Sequence, residues 1–240
     1  MKNFSIILST IAVILAAASF LATNSIKKNE SGVSAEKVAE ILNGNPKMVV
    51  DAFNAYQEQQ RAEAERAARE AMEKFLPELV SDENALFVGP QDSEITVVEF
   101  FDFNCGYCKR LAPELEKAIA ANGDVKFIFK PLTFLGSSYQ AKGAYAAAKQ
   151  GKFLEYYKEV MAANGRMTEA DVDALAEKLE LNMEQFKADL AADEVAAKLS
   201  KVAGLADNVQ VHGVPSVFVN GKQVQATSSD ELQRAINDSK

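Results

Sequence analysis

The sequence has no tryptophan, one histidine and two cysteines in 240 residues. Two cysteines exclude a scaffold stapled by several disulfides. With His212 as the only imidazole, they also exclude a conventional four-ligand zinc site built within one chain, so no metal and no bound cofactor is expected. Basic residues are short as well: 26 Lys+Arg stand against 34 Asp+Glu, a formal net charge of −8. That balance argues against nucleic acid or an anionic membrane surface as a partner, because both repel an acidic protein. What is present, 48% hydrophobic and 25% charged, is the composition of an ordinary globular protein.

After Lys2, the run from Phe4 to Thr23 carries no charge and is dominated by Ile, Leu, Val and Ala. A basic start followed by an apolar stretch predicts a secretory signal over residues 1–25, with Ala16-Ala17-Ala18 as small residues for cleavage. The alternative is an uncleaved anchor through residues 4–23, since about twenty uncharged residues just span a bilayer. Lys27 and Lys28 would then lie on the far side, against the positive-inside rule. No cysteine follows the run to carry a lipid. Either way, the rest of the chain is expected to be exported, to a periplasm or cell envelope.

Residues 26–76 read as a helical oligomerisation region and stalk. Ser34 can cap a short helix carrying Val38, Ile41 and Leu42, which Asn43-Gly44-Asn45-Pro46 then breaks. Met48, Val49, Ala52, Phe53 and Tyr56 recur at helical spacing and form one apolar stripe. Beyond Tyr56 the shaft is charged and alanine-rich, with Glu65/Arg69 and Glu70/Lys74 as expected i,i+4 pairs. Large apolar residues at one end of a charged shaft have little to pack on within one chain. Residues 33–60 are therefore expected to self-associate and 61–76 to form the stalk. The alternative is a helix folded back on the main domain.

Residues 77–240 read as that main domain. Ala85 to Val88 and Ile95 to Phe101 are β-rich runs separated by the turn-like Gly89-Pro90-Gln91-Asp92. A helix bearing Leu111, Leu115, Ala118 and Ile119 follows, then a strand from Val125 to Phe129, which implies a parallel pair. Residues 137–204 are helical in pattern, with Asn182-Met183-Glu184-Gln185 reading as a capping box. Asn220-Gly221 between Ser216–Val219 and Gln223-Val224 is a hairpin signal, because both turn positions tolerate positive φ. Ser228 caps a last helix bearing Leu232 and Ile236. The fold class is α/β: a strand–helix–strand unit, inserted helices, then a hairpin and a helix.

The chemistry lies at Cys105-Gly106-Tyr107-Cys108. Two thiols at the start of a helix can close a small disulfide ring with little backbone movement. The first sits where free N–H groups and the helix dipole favour a thiolate. Such a pair suits thiol–disulfide exchange, with Cys105 as the exposed nucleophile and Cys108, one turn further in, as the resolving thiol. Half a metal site is the other reading of an isolated C-x-x-C. The preceding strand, the following helix and the exported compartment favour redox chemistry.

Phe100-Phe101-Asp102-Phe103-Asn104-Cys105-Gly106-Tyr107-Cys108, followed far downstream by Gly213-Val214-Pro215-Ser216-Val217-Phe218-Val219-Asn220-Gly221-Lys222, resembles the DsbA-like branch of the thioredoxin superfamily. The likeness extends over roughly residues 85–238, and implies a thioredoxin-like fold with an inserted helical domain. The N-terminal helices resemble those of ScsC-like members, which form oligomers. By this resemblance Pro215 is the family's cis-proline beside the disulfide, and Val214 contacts substrate. Glu99, six residues before Cys105, matches a buried acid beneath the active site, suited by desolvation to exchange a proton with Cys108. An exposed strand face is the other position open to it. His212 could face the site or simply lie in solvent. Lys109 and Arg110 are expected on a solvated helix face, and Phe100, Phe101 and Phe103 in the core.

Two departures bear on function. Strongly oxidising members carry Pro-His between the cysteines. Gly106-Tyr107 supplies no such positive charge, which implies a less stabilised thiolate and a less oxidising disulfide. Gly-Tyr is the dipeptide of dedicated disulfide isomerases, but those usually have threonine where this chain has Val214. Three classes follow: an isomerase or reductase of misoxidised exported proteins, a dithiol oxidase, and a Cu(I)-binding copper-tolerance protein using two soft thiolates. The expected partners are unfolded or misoxidised exported proteins and a membrane redox protein of the DsbD or DsbB type. The expected assembly is a homodimer or homotrimer.

Overall fold

The computed structural model describes residues 34–81 and 86–240; the signal or anchor expected over residues 1–25 lies outside them. Among the described residues no helix is long and apolar enough to cross a membrane. The chain divides into two compact units at Ala62/Glu63.

In the first unit, helix α1 (Ala35–Gly44) starts at Ser34, whose hydroxyl accepts the Lys37 N–H at 3.2 Å. Asn45 ends it, and Pro46, whose missing N–H costs nothing there, opens helix α2 (Pro46–Leu79), which continues past Ala62 into the second unit. Val38, Ile41, Leu42, Met48, Val49, Val50, Phe53 and Tyr56 are all exposed, so the helical stripe read as Met48, Val49, Ala52, Phe53 and Tyr56 is uncovered among the described residues. The i,i+4 ion pair that forms along the shaft is Arg66–Glu70, at 3.8 Å, rather than the two pairs expected. Lys74 lies instead over the Phe75 ring.

The second unit is built on a five-stranded sheet of order β1-β3-β2-β4-β5. Its strands are β1 (Leu86–Val88), β2 (Thr96–Phe101), β3 (Lys126–Pro131), β4 (Ser216–Val219) and β5 (Lys222–Val224). β2 and β3 are parallel, joined through helix α3 (Gly106–Ala121), and every other pairing is antiparallel. Both faces of β2 are covered, which is why it reads as a continuous apolar run. Val97 and Phe101 enter the larger core with Leu111, Leu115, Phe129 and Tyr157. Val98 and Phe100 enter a smaller core on the other face with Ile128, Leu205, Val209 and Phe218.

Five helices lie between β3 and β4: α4 (Ser138–Lys149), α5 (Phe153–Ala162), α6 (Glu169–Lys178), α7 (Met183–Ala191) and α8 (Asp193–Asn208). The capping box falls at Thr168/Asp171, not at Asn182. Asn182 accepts the Gln185 N–H at 3.0 Å, but the Gln185 amide turns to Asp189 and the Asn182 N–H donates to Gln150. The β4–β5 turn is Asn220-Gly221, both at positive φ, as expected. A Cβ on Gly221 would also fall 2.5 Å from Leu76 Cδ1. Helix α9 (Ser229–Asn237) closes the fold on Leu232 and Ile236.

The expected boundary at residue 77 needs correction. Leu79 is fully buried in the smaller core, and Met72, Phe75 and Leu76 pack against it. These four recur at helical spacing, a stripe that the alanine-rich shaft before them conceals. The buried Lys130 ammonium donates to the Glu78 carbonyl at 3.4 Å, and burial pushes its pKa down to about 8.

Candidate active site

The site forms where β2 ends. Cys105 N–H donates to the Asp102 carbonyl at 2.9 Å, folding Asp102–Cys105 into a turn that delivers Cys105 to the start of α3. The buried Asp102 carboxylate holds that turn. One oxygen accepts the Asn104 N–H at 2.8 Å and the other accepts the Leu135 N–H at 3.0 Å. Asn104 and Arg166 then donate to the Leu135 carbonyl. The catalytic turn and the loop after β3 are thus tied to each other, and Arg166 ties both to the inserted helices.

Cys105 is the N-cap of α3, and its sulfur accepts the Cys108 N–H at 3.5 Å. Among the described residues no charged side chain hydrogen-bonds that sulfur; its partners besides the Cys108 N–H are the Cys108 thiol and the Val214 carbonyl. Cys105 retains 6% exposure against 0% for Cys108, which fits their expected order of access. Cys105 is nevertheless more shielded than expected, because the Val214 carbonyl sits 3.5 Å from its sulfur. The Val214–Pro215 peptide is cis, and Ser216 Oγ steadies the same loop through the Gly213 carbonyl at 2.8 Å. Gly106 and Tyr107 face solvent, with the Tyr107 ring 69% exposed.

Beneath the thiols lies Glu99, 1% exposed, on the face of β2 that carries Val97 and Phe101. Its interior position is therefore the one the structure adopts. Tyr157 of α5 donates its hydroxyl to Glu99 Oε2 at 3.0 Å, while Oε1 has no partner. Burial drives the Glu99 pKa up to about 8, and the Tyr157 hydrogen bond opposes this in part. Burial first, and the Glu99 charge second, push the Cys108 thiol up as well. A buried carboxyl with a raised pKa thus lies beside a thiol that burial makes reluctant to ionise.

Of the residues singled out from the sequence, Cys105, Cys108, Glu99, Gly106, Tyr107, Val214 and Pro215 converge here. His212 is exposed. Lys109 does not lie free on a solvated face: its ammonium donates to the Ala163 carbonyl at 2.8 Å and to Gly165. Sequence reasoning missed Asp102 and Tyr157. Asp102 had a signal, since Asp-x-Asn invites a side chain to bond the backbone two residues on. Tyr157 had none, because its partner lies 58 positions away.

Comparison with known proteins agrees with this geometry. The family model for thioredoxin matches residues 81–238. A probable disulfide bond formation protein D of Bacillus anthracis is 30% identical over 165 residues, covering 62% of this chain and 76% of its own. A Na(+)/H(+) antiporter NhaA 3 of Salinispora tropica is 33% identical over 139 residues, but the match takes in 56% of this chain and only 21% of the antiporter. Among solved structures, a linker-deletion mutant of Proteus mirabilis ScsC aligns at TM-score 0.70 and 22% identity, covering 88% of this chain and 98% of that one. The chain spans about a fifth of the antiporters' length, and with the cysteine pair at the head of α3 and the family match running from residue 81 through the sheet and the inserted helices, it belongs to the thioredoxin family.

Proposed function

We propose that this oxidoreductase is exported to the periplasm or cell envelope and works as an oligomeric disulfide isomerase and reductase. The observation that carries the reading is that the surroundings of Cys105 hold no hydrogen-bonding cation among the described residues. Its sulfur is met by the Cys108 N–H, the Cys108 thiol and the Val214 carbonyl, an arrangement that suits reduction and isomerisation better than strong oxidation. The Cys105 thiolate attacks one sulfur of a substrate disulfide. A mixed disulfide forms and the other substrate sulfur leaves as a thiolate. If a second substrate thiolate then displaces Cys105, the pairing has changed with no net transfer of electrons. If Cys108 displaces the substrate instead, it gives its proton to Glu99 in the molecules whose carboxyl is ionised, a fraction that grows as pH approaches 8. The substrate is then reduced by two electrons and a Cys105–Cys108 disulfide remains, to be reduced by a membrane dithiol partner of the DsbD type.

The exposed stripe of α1 and α2 supports self-association into a dimer or trimer, which would present several Cys105 sites to one scrambled substrate. The test is refolding of a scrambled-disulfide substrate by the reduced protein, beside a version lacking residues 34–62. Recovery of activity that falls when the helices are removed is the expected result. No recovery by the full protein, with rapid oxidation of a reduced substrate by its disulfide form, would make it a dithiol oxidase.

A further inference from the structure

A groove of about 410 Å³ is lined in part by Val214, whose carbonyl lies 3.5 Å from the Cys105 sulfur. One wall is the first turn of α3, with Tyr107 and Arg110; the other is Val214–Pro215 and the segment after β5, with Gln225 and Thr227. Among the described residues, Arg110 is the only charged one that lines it. Its guanidinium lies over the Tyr107 ring, 4.2 Å from the centroid, with Nη1 3.9 Å from where a Cβ on Gly106 would stand. The stack holds the cation over the loop between the two cysteines. Yet its N–H donors meet no hydrogen-bond acceptor and no carboxylate among the described residues.

The neighbouring charges are engaged elsewhere. The Lys109 ammonium is taken by the Ala163 and Gly165 carbonyls. Glu231 accepts from the Thr227 N–H and hydroxyl and lines a separate depression with Lys222 and Arg234. Glu114 is held by Lys117 and the Ser229 N–H. A planar, preorganised, unpaired fork at the mouth of an otherwise uncharged groove is a carboxylate receptor.

We infer that the groove selects extended substrate segments carrying an acidic side chain within two or three residues of the reacting cysteine, with Arg110 as the specificity residue. The inference rests on Cys105 being the nucleophile. It also runs against the net charge of −8, which taken alone would favour basic substrates. The local cation prevails at contact because more distant charges are screened over about 8–10 Å.

Three peptides test it, identical except for Glu, Gln or Lys two residues either side of one cysteine, each as a mixed disulfide with mercaptoethanol. The reduced full-length protein should release the thiol of the Glu peptide about fivefold faster than that of the Lys peptide at low salt. Arg110→Gln should abolish the difference, Arg110→Lys should keep only a small part of it because an ammonium lacks the planar fork, and high salt should erase it. Equal rates for the three peptides, or an Arg110→Gln variant slowed on all of them alike, overturns the inference; the second result would assign Arg110 to the Cys105 thiolate instead. Failure of the nucleophile reading looks different, as no thiol released from any peptide, and overturns both.

Discussion

Glu99 shows how burial makes an ordinary side chain chemically useful. On a strand buried on both faces, its carboxyl loses water and receives a single hydrogen bond in return. Its pKa rises from 4.5 to about 8, so between those values the native state holds a proton that the unfolded chain releases. Stability from this group is therefore complete below pH 4.5 and is lost as pH rises towards 8, by about 3–4 kcal/mol between pH 5 and pH 8. Glu99→Gln lacks this titration. In urea unfolding of the reduced proteins, its stability relative to the wild type should climb over that window; a constant difference would mean that Glu99 is not protonated in the fold. Tyr157 acts through Glu99. Because its hydroxyl lowers the Glu99 pKa, Tyr157→Phe should move the pH profile of mixed-disulfide resolution to higher pH. An unmoved profile would reduce Tyr157 to packing.

At the scale of elements, the parallel β2–β3 pair, α3 and the Asn220-Gly221 hairpin were legible because their signals are local: apolar runs, a helical period, and a turn that needs positive φ twice. The site residues on those elements were legible for the same reason. What escaped depends on contacts between elements. Met72, Phe75, Leu76 and Leu79 bind the end of α2 to the sheet, yet nothing in their spacing says which surface receives them. The α4–α5 contact is equally hidden. A Cβ on Gly143 would fall 2.3 Å from the Tyr156 hydroxyl, which donates to the Gln140 carbonyl at 3.0 Å in the interior. Gly143→Ala must displace that ring and break the bond. It should cost about 1–3 kcal/mol despite the better helix propensity of alanine, and a denaturation midpoint equal to wild type would contradict the packing. Tyr156 neighbours Tyr157, so the same variant should also slow resolution.

Over the whole molecule, the candidate active site lies on the second unit, and the first unit carries large apolar side chains that face solvent. Eight exposed apolar residues within the first unit are more than a monomer needs, and removing residues 34–62 should convert an oligomeric mass in light scattering to a monomeric one. A monomer mass for the intact chain would remove the basis for an oligomeric isomerase while leaving the cysteine chemistry untouched. That chemistry is the central claim, and covalent trapping tests it most directly. With a disulfide-containing substrate, reduced Cys108→Ala should accumulate a mixed disulfide on Cys105 that dithiothreitol dissolves, whereas Cys105→Ala should form none. A stable adduct on Cys108, or none with either variant, would contradict the assignment of nucleophile and resolving thiol.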